Sequence, residues 1–214
     1  MRALAVATAV LVVAAAGVVE ARTRSGTPRG DRIGGTARAD TFHGLGGNDR
    51  LYGRGGNDRL YGGAGNDRLV GAPGNDLLRG GPGDDKLNGG ADDDRLFGET
   101  GNDTLSGYTG DDEIEGGAGD DVLYGGAGDD DLRGRDGNDR LTGSAGADVL
   151  DGGNGDDRLV GGPGADELNG GPGDDVIDAR DGTDDDIDCG DGKDTVFVDA
   201  TENGVIDCET VVRP

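Results

Sequence analysis

The chain has no tryptophan, one histidine, two cysteines, three phenylalanines and four tyrosines. Each scarcity removes a class of function. A lone His43 cannot make the His-Glu-x-x-His pair of a zinc protease, and neither a Gly-x-Ser-x-Gly elbow nor a P-loop occurs. Any Ser/His/Asp site would depend on that one imidazole, so no catalysis is expected from this chain. Two cysteines with a histidine far away in sequence do not supply the four ligands zinc prefers. Basic residues are also short, 20 Lys and Arg against 45 Asp and Glu, a formal net charge of −25. That acidity, with so few aromatic rings, argues against nucleic-acid binding.

What is abundant is glycine, 48 residues. Gly-rich, acidic, aromatic-poor composition by itself describes a disordered chain. Periodicity contradicts that description. From Gly44 to Asp178 the sequence keeps a nine-residue beat through fifteen units, each Gly-x-x-Gly-(Asn/Asp)-Asp-x-Leu-x. Gly-Gly-Ala-Gly-Asn-Asp-Arg-Leu-Val, Gly62 to Val70, is a clean copy. Residue one is Gly throughout, and residue four is Gly in fourteen units, Asp92 being the exception. Residue eight is Leu except at Ile114 and Ile177, and residue five is Asn or Asp except at Ala147 and Ala165. Residue six is always Asp: Asp49, Asp58, Asp67, Asp76, Asp85, Asp94, Asp103, Asp112, Asp121, Asp130, Asp139, Asp148, Asp157, Asp166 and Asp175. Residue two is the loosest, Gly in eight units and side chains such as Arg54, Tyr108 and Arg135 elsewhere. Degenerate copies flank the array at Gly35 to His43, with Asp40 and Phe42 in phase, and at Cys189 to Phe197, with Asp194 and Val196 in phase.

Glycine permits the positive φ that tight turns need, and x-Leu-x predicts a three-residue strand whose middle side chain points away from its neighbours. A unit with one leucine cannot form a core alone and becomes a structure only by stacking. Two units then make one coil, with two flat sheets facing across a ladder of Leu and Ile. Rows of aspartate at the turns of an already acidic chain repel one another, so the stack calls for a cation. Calcium suits it, because calcium takes oxygen ligands from carboxylates and main-chain carbonyls alike.

These units match the Gly-Gly-x-Gly-x-Asp-x-Leu-x nonapeptide, and on them the chain resembles the RTX, or hemolysin-type, calcium-binding repeat proteins. The resemblance implies an all-β fold, a parallel β-roll with two nonapeptides per coil, and Ca2+ bound in the turns. It implies that the fifteen aspartates of residue six are metal ligands, each ion lying between turns two units apart, Asp49 sharing with the turn of Asp67 and Asp58 with that of Asp76. Eight turns on one edge and seven on the other allow about thirteen such sites, fewer where Asp92, Ala147 and Ala165 interrupt the pattern.

Residues 1–21 read as a secretory signal peptide: Arg2, an apolar run from Ala3 to Val19, and a small-residue cleavage site at Val19-Glu20-Ala21. The run is 17 residues, the lower limit of a membrane span, which leaves an uncleaved anchor open. Residues 22–34 read as a basic linker into the roll of residues 35–178. Residues 179–214 read as a C-terminal cap closing the stack. With Asp-Cys-Gly-Asp-Gly-Lys-Asp and Asp-Cys-Glu-Thr-Val, this end looks like the closing segment of many secreted actinobacterial RTX-like proteins. Both cysteines, Cys189 and Cys208, lie there, and an even count in an exported chain points to a disulfide, with free thiols or a metal pair as the alternatives.

The expected function is calcium binding by a secreted, non-catalytic β-roll that folds on calcium. Two other readings use calcium only as scaffold: an extracellular surface-interaction protein, or an accessory subunit of a separately encoded enzyme. For the former, Arg50, Arg68 and Arg158 would share one sheet face, to which an anionic glycan or cell-surface polymer would dock; charge balance between neighbours is the plainer explanation of the same residues. Residue three holds no run of threonine, so the flat Thr ladder of an ice-binding roll is absent.

Overall fold

A computed structural model describes residues 22–200 and 204–213; the expected export signal at 1–21 lies outside them. The described residues form twenty-two strands in two eleven-stranded sheets, and consecutive strands alternate between the sheets. Every strand pairing is parallel, and through the array each strand pairs with the one 18 residues on, as Leu69 does with Leu87 and Leu87 with Leu105. One coil is therefore two nonapeptides, and the fold is the all-β parallel roll that the repeat implies.

The eighth residues point inward. Leu51, Leu60, Leu69 and their successors to Ile177 are buried, and Ile33, Phe42, Ile187 and Val196 extend the ladder at both ends. A core one leucine deep in every nine residues offsets little of the backbone entropy lost on ordering them. The main-chain ladder and the turns must therefore hold much of the stack.

The strands are longer than x-Leu-x. Arg68–Pro73 is typical: it runs six residues, through the leucine and into the next unit's first three positions. Its ladder pairs Arg68, Leu69 and Val70 with Lys86, Leu87 and Asn88, then resumes at Ala72 and Pro73 with Gly90 and Ala91. These extra pairs form through the main chain, so the side chains of positions two and three carry no strand signature. Position two adopts positive φ in every unit of the array, and seven of the fifteen residues there, from Leu45 to Ser144, are not glycine. Position four is also left-handed throughout, Asp92 included at φ 74. Two left-handed residues in three fold the chain back tightly enough to begin the opposite sheet.

The roll also extends beyond its expected limits. Thr23–Ser25 and Arg32–Gly34, placed by sequence in a basic linker, pair in parallel with Thr41–His43 and Arg50–Tyr52 as the first strands of the two sheets. Gly26, Asp31 and Ile33 lie in phase with the array, and their match is hidden among arginines. At the other end, the segment expected as a cap continues both sheets. Asp186–Asp188 pairs with Glu167–Asn169, and Thr195–Val198 pairs with Val176–Ala179. A one-residue insertion shifts the spacing there, so Asp175 reaches Asp194 at a separation of 19. Cys189 and Cys208 are joined in a disulfide with Cα atoms 5.1 Å apart. The closed loop stabilises the last coil by about 3 kcal/mol in the chain-entropy model.

Candidate metal centre

The fifteen aspartates of position six stand in two rows, one along each edge of the roll, and all are between 0 and 3% exposed. Their two carboxylate oxygens have different surroundings. Oδ1 accepts a hydrogen bond from the main-chain N–H of the corresponding aspartate one coil earlier: Asp49 donates to Asp67 at 2.7 Å, Asp67 to Asp85 at 2.6 Å, and Asp85 to Asp103 at 2.7 Å. The same link runs along the other edge from Asp58 to Asp76 and from Asp76 to Asp94. Oδ2, in every one of the fifteen, is buried with no hydrogen-bond partner among the described residues. An unpartnered buried oxygen of this kind is costly, and here it recurs at every turn.

Residue one shows what faces this oxygen. A Cβ added at Gly152 would lie 2.5 Å from Asp157 Oδ2 and 2.6 Å from the carbonyl oxygen of Gly170. The same two groups, the unit's own Oδ2 and the first-residue carbonyl of the next coil, crowd the Cβ position at Gly53, Gly62, Gly98 and Gly134. Glycine is needed here to keep a small space clear, since this position does not adopt positive φ. The space is lined by oxygens that repel each other unless a cation lies between them.

Among the described residues no three side chains of His, Cys, Asp or Glu meet in one group. A cation in these turns would therefore be held by few carboxylates and several main-chain carbonyls. An all-oxygen set of this kind fits calcium, and it lacks the nitrogen and sulfur donors that suit zinc.

Burial sets the acidity of these groups. It pushes the carboxyls of Asp85 and Asp94 up to about 8 and those of Asp76, Asp121, Asp130, Asp157 and Asp166 to about 7. Those of Asp58, Asp103, Asp112, Asp139 and Asp175 rise to about 6, and Asp49, Asp67 and Asp148 are also raised. In each, the incoming N–H pulls the other way but is outweighed by burial, and acidic neighbours add to the rise. Without a counter-ion, these carboxylates resist carrying the charge that cation binding requires.

Position five explains its own preference for Asn and Asp. Its side chain accepts the N–H of the fifth residue one coil on, as Asp84 does from Asn102 at 3.1 Å and Asn102 from Asp120 at 3.1 Å. Ala147 donates to Asp129 at 2.8 Å but has no side-chain oxygen to offer Ala165, so both alanines leave this outer ladder open on one edge.

Sequence reasoning named the fifteen buried acids but missed Asp31, whose main-chain N–H donates to Oδ1 of Asp49 in the next coil, and Asp185, whose Oδ1 accepts the N–H of Asp166. The signal for both was available as phase: Asp31 lies 18 residues before Asp49, and Asp185 precedes Ile187 by the same two residues that separate Asp49 from Leu51.

Fold and turns together define a cation-held parallel β-roll. The family model of the RTX calcium-binding nonapeptide repeat matches at residues 34–69, 70–105, 97–132, 106–141, 124–159, 133–168, 151–186 and 160–196. The chain belongs to that family, whose repeats bind Ca2+. Comparison with curated proteins gives no match.

Proposed function

We propose that the chain is exported under the direction of residues 1–21 and folds outside the cell as a non-catalytic β-roll held by calcium. The observation that carries this reading is the repeated Oδ2: a buried carboxylate oxygen without a donor in all fifteen units, beside a carbonyl oxygen in turns such as those of Gly53, Gly62, Gly98, Gly134 and Gly152. The ligands are the aspartates of position six, Asp49 through Asp175, each completed by the glycine carbonyls around it. Bound calcium supplies positive charge where the rows of carboxylates converge. Extracellular modules bind calcium at about 10⁻⁴–10⁻³ M, so the outside concentration drives folding and the inside one does not.

Gly152→Ala tests the ligand assignment at one turn. The added methyl displaces Asp157 or Gly170, at an overpacking cost of about 1–3 kcal/mol. Calcium per chain, measured by elemental analysis, should fall, and the melting temperature should drop by several degrees. An unchanged calcium count would remove Asp157 from the ligand set.

A second reading, a surface-interaction protein, has its own support. On the sheet built from Arg32–Gly34 onward, Arg32, Arg50, Arg68 and Lys86 stand side by side in register, and Arg140 stands beside Arg158. Among the described residues the ion pairs lie elsewhere, on Arg79, Arg95, Arg133, Arg135 and Arg180. A row of cations outside these ion pairs, on a strongly acidic protein, suits an extended anionic polymer, with strand spacing of about 4.7–4.9 Å setting the interval between charges. Arg50→Glu, Arg68→Glu and Arg158→Glu together should abolish retention on an anionic cell-surface polysaccharide while leaving calcium uptake intact. Equal retention by parent and variant would leave those arginines as surface charge alone.

A further inference from the structure

The two units at the start of the roll break the rule of the donorless carboxylate. In Gly26–Asp31, Oδ2 of Asp31 accepts the main-chain N–H of Thr27 at 2.6 Å and its hydroxyl at 2.9 Å. In Gly35–Asp40, Oδ2 of Asp40 accepts the N–H of Thr36 at 2.7 Å and its hydroxyl at 2.9 Å. Thr27 and Thr36 occupy position two. The oxygen that lacks a partner from Asp49 to Asp175 here has two donors from its own turn.

Backbone conformation separates the two kinds of turn. Position two is left-handed in all fifteen units of the array, whereas Thr27 and Thr36 lie outside that region. In left-handed turns the N–H of position two is directed along the stack: Arg54 donates to the carbonyl of Gly71 at 3.0 Å, and Ser144 to that of Gly161 at 2.8 Å. At Thr36 the same N–H turns to the carboxylate instead. The residues that tolerate positive φ at position two include Leu45, Arg54, Glu99, Tyr108 and Ser144, none of them branched at Cβ. A β-branched residue resists left-handed backbone strongly, and threonine adds a hydroxyl donor where the metal would lie.

We infer that the second residue of each nonapeptide decides whether its turn takes calcium, and that Thr27 and Thr36 make the first two turns metal-free. The inference rests on calcium binding at the turns of the array. With both oxygens of Asp40 and Oδ2 of Asp31 engaged by protein donors, the leading coil closes without a counter-ion. It then presents main-chain edges on which the first calcium-holding coil is laid.

The test counts calcium bound per chain at saturation, by calorimetry and by elemental analysis after desalting, in the full chain. Thr27→Gly with Thr36→Gly, which install the residue most common at this position, should raise the count by up to one ion per converted turn. Leu45→Thr should lower it by one, whereas Leu45→Ser, unbranched like the natural Ser144, should leave it at the parent value. A parent-like count in the folded double glycine variant overturns the inference, as does a parent-like count in Leu45→Thr. A parent chain that binds no calcium would instead sink the reading on which the inference rests, so the two failures are distinguishable.

Discussion

Replacing Asp103, Asp121 and Asp139 with alanine should unfasten the middle of the roll, whereas replacing the same three with asparagine should free it from calcium. The three lie consecutively on one edge, and their Oδ1 atoms accept the N–H groups of Asp85, Asp103 and Asp121 at 2.7 Å each. Alanine removes the cation ligand and the acceptor together, leaving buried N–H groups unsatisfied at about 1–3 kcal/mol apiece. In saturating calcium the melting temperature should therefore fall by on the order of 10 °C. Asparagine keeps Oδ1 and puts an amide donor in place of Oδ2. At Asp103 that donor would face the carbonyl of Gly116, which crowds the same space. The asparagine variant should bind less calcium than the parent yet keep more β-structure than the parent in chelator. Equal behaviour of the two variants in chelator would mean that the donorless oxygen is not what destabilises the metal-free roll.

The second large effect is one of pH. Twelve of the fifteen aspartates are raised from 3.8 to between about 6 and about 8 in the metal-free roll. A group whose folded pKa is raised binds its proton more tightly when folded. Its contribution is fully present below pH 3.8 and is lost as pH rises through about 6 to 8. In chelator, then, the β-signal should be present near the low end of that range and gone above its high end, the proton doing in part what calcium does. Calcium binding should release protons, and the apparent affinity should weaken as pH falls from the high end of the range to the low end. Circular dichroism in chelator across this interval, together with proton release measured in buffers of different ionisation enthalpy, checks both. A metal-free chain equally structured at both limits would show that the carboxylates do not govern folding.

The parts of this account that were legible in the sequence are those where a side chain meets a chemical demand. Leu69 and its equivalents must be apolar because they are the whole core, Asp67 and its equivalents must be acidic, and Gly62 must lack a Cβ because the carboxylate occupies that space. Those columns are nearly invariant and set the fold and the acid rows directly. Position two was opaque because its demand falls on the backbone. Arg54 and Tyr108 meet it at φ 86 and 83 as glycine does elsewhere, so residue identity there looks random while conformation is uniform. Six-residue strands were hidden for a related reason, since the glycine-rich half of each pairs through main-chain groups alone. The strands within residues 22–34 were hidden because their arginines dominate the composition, and the unit holding Asp185 and Ile187 because one inserted residue breaks the phase.

The central claim is that the stacked carboxylates keep the roll open until a divalent cation with calcium's coordination habits lies between them. Far-ultraviolet circular dichroism during a calcium titration at neutral pH, with magnesium in parallel, tests it most directly. The account predicts a cooperative passage from coil to β-structure with calcium, little response to magnesium, and full reversal by chelator. A chain already folded in chelator at neutral pH, and unchanged by added calcium, would contradict it.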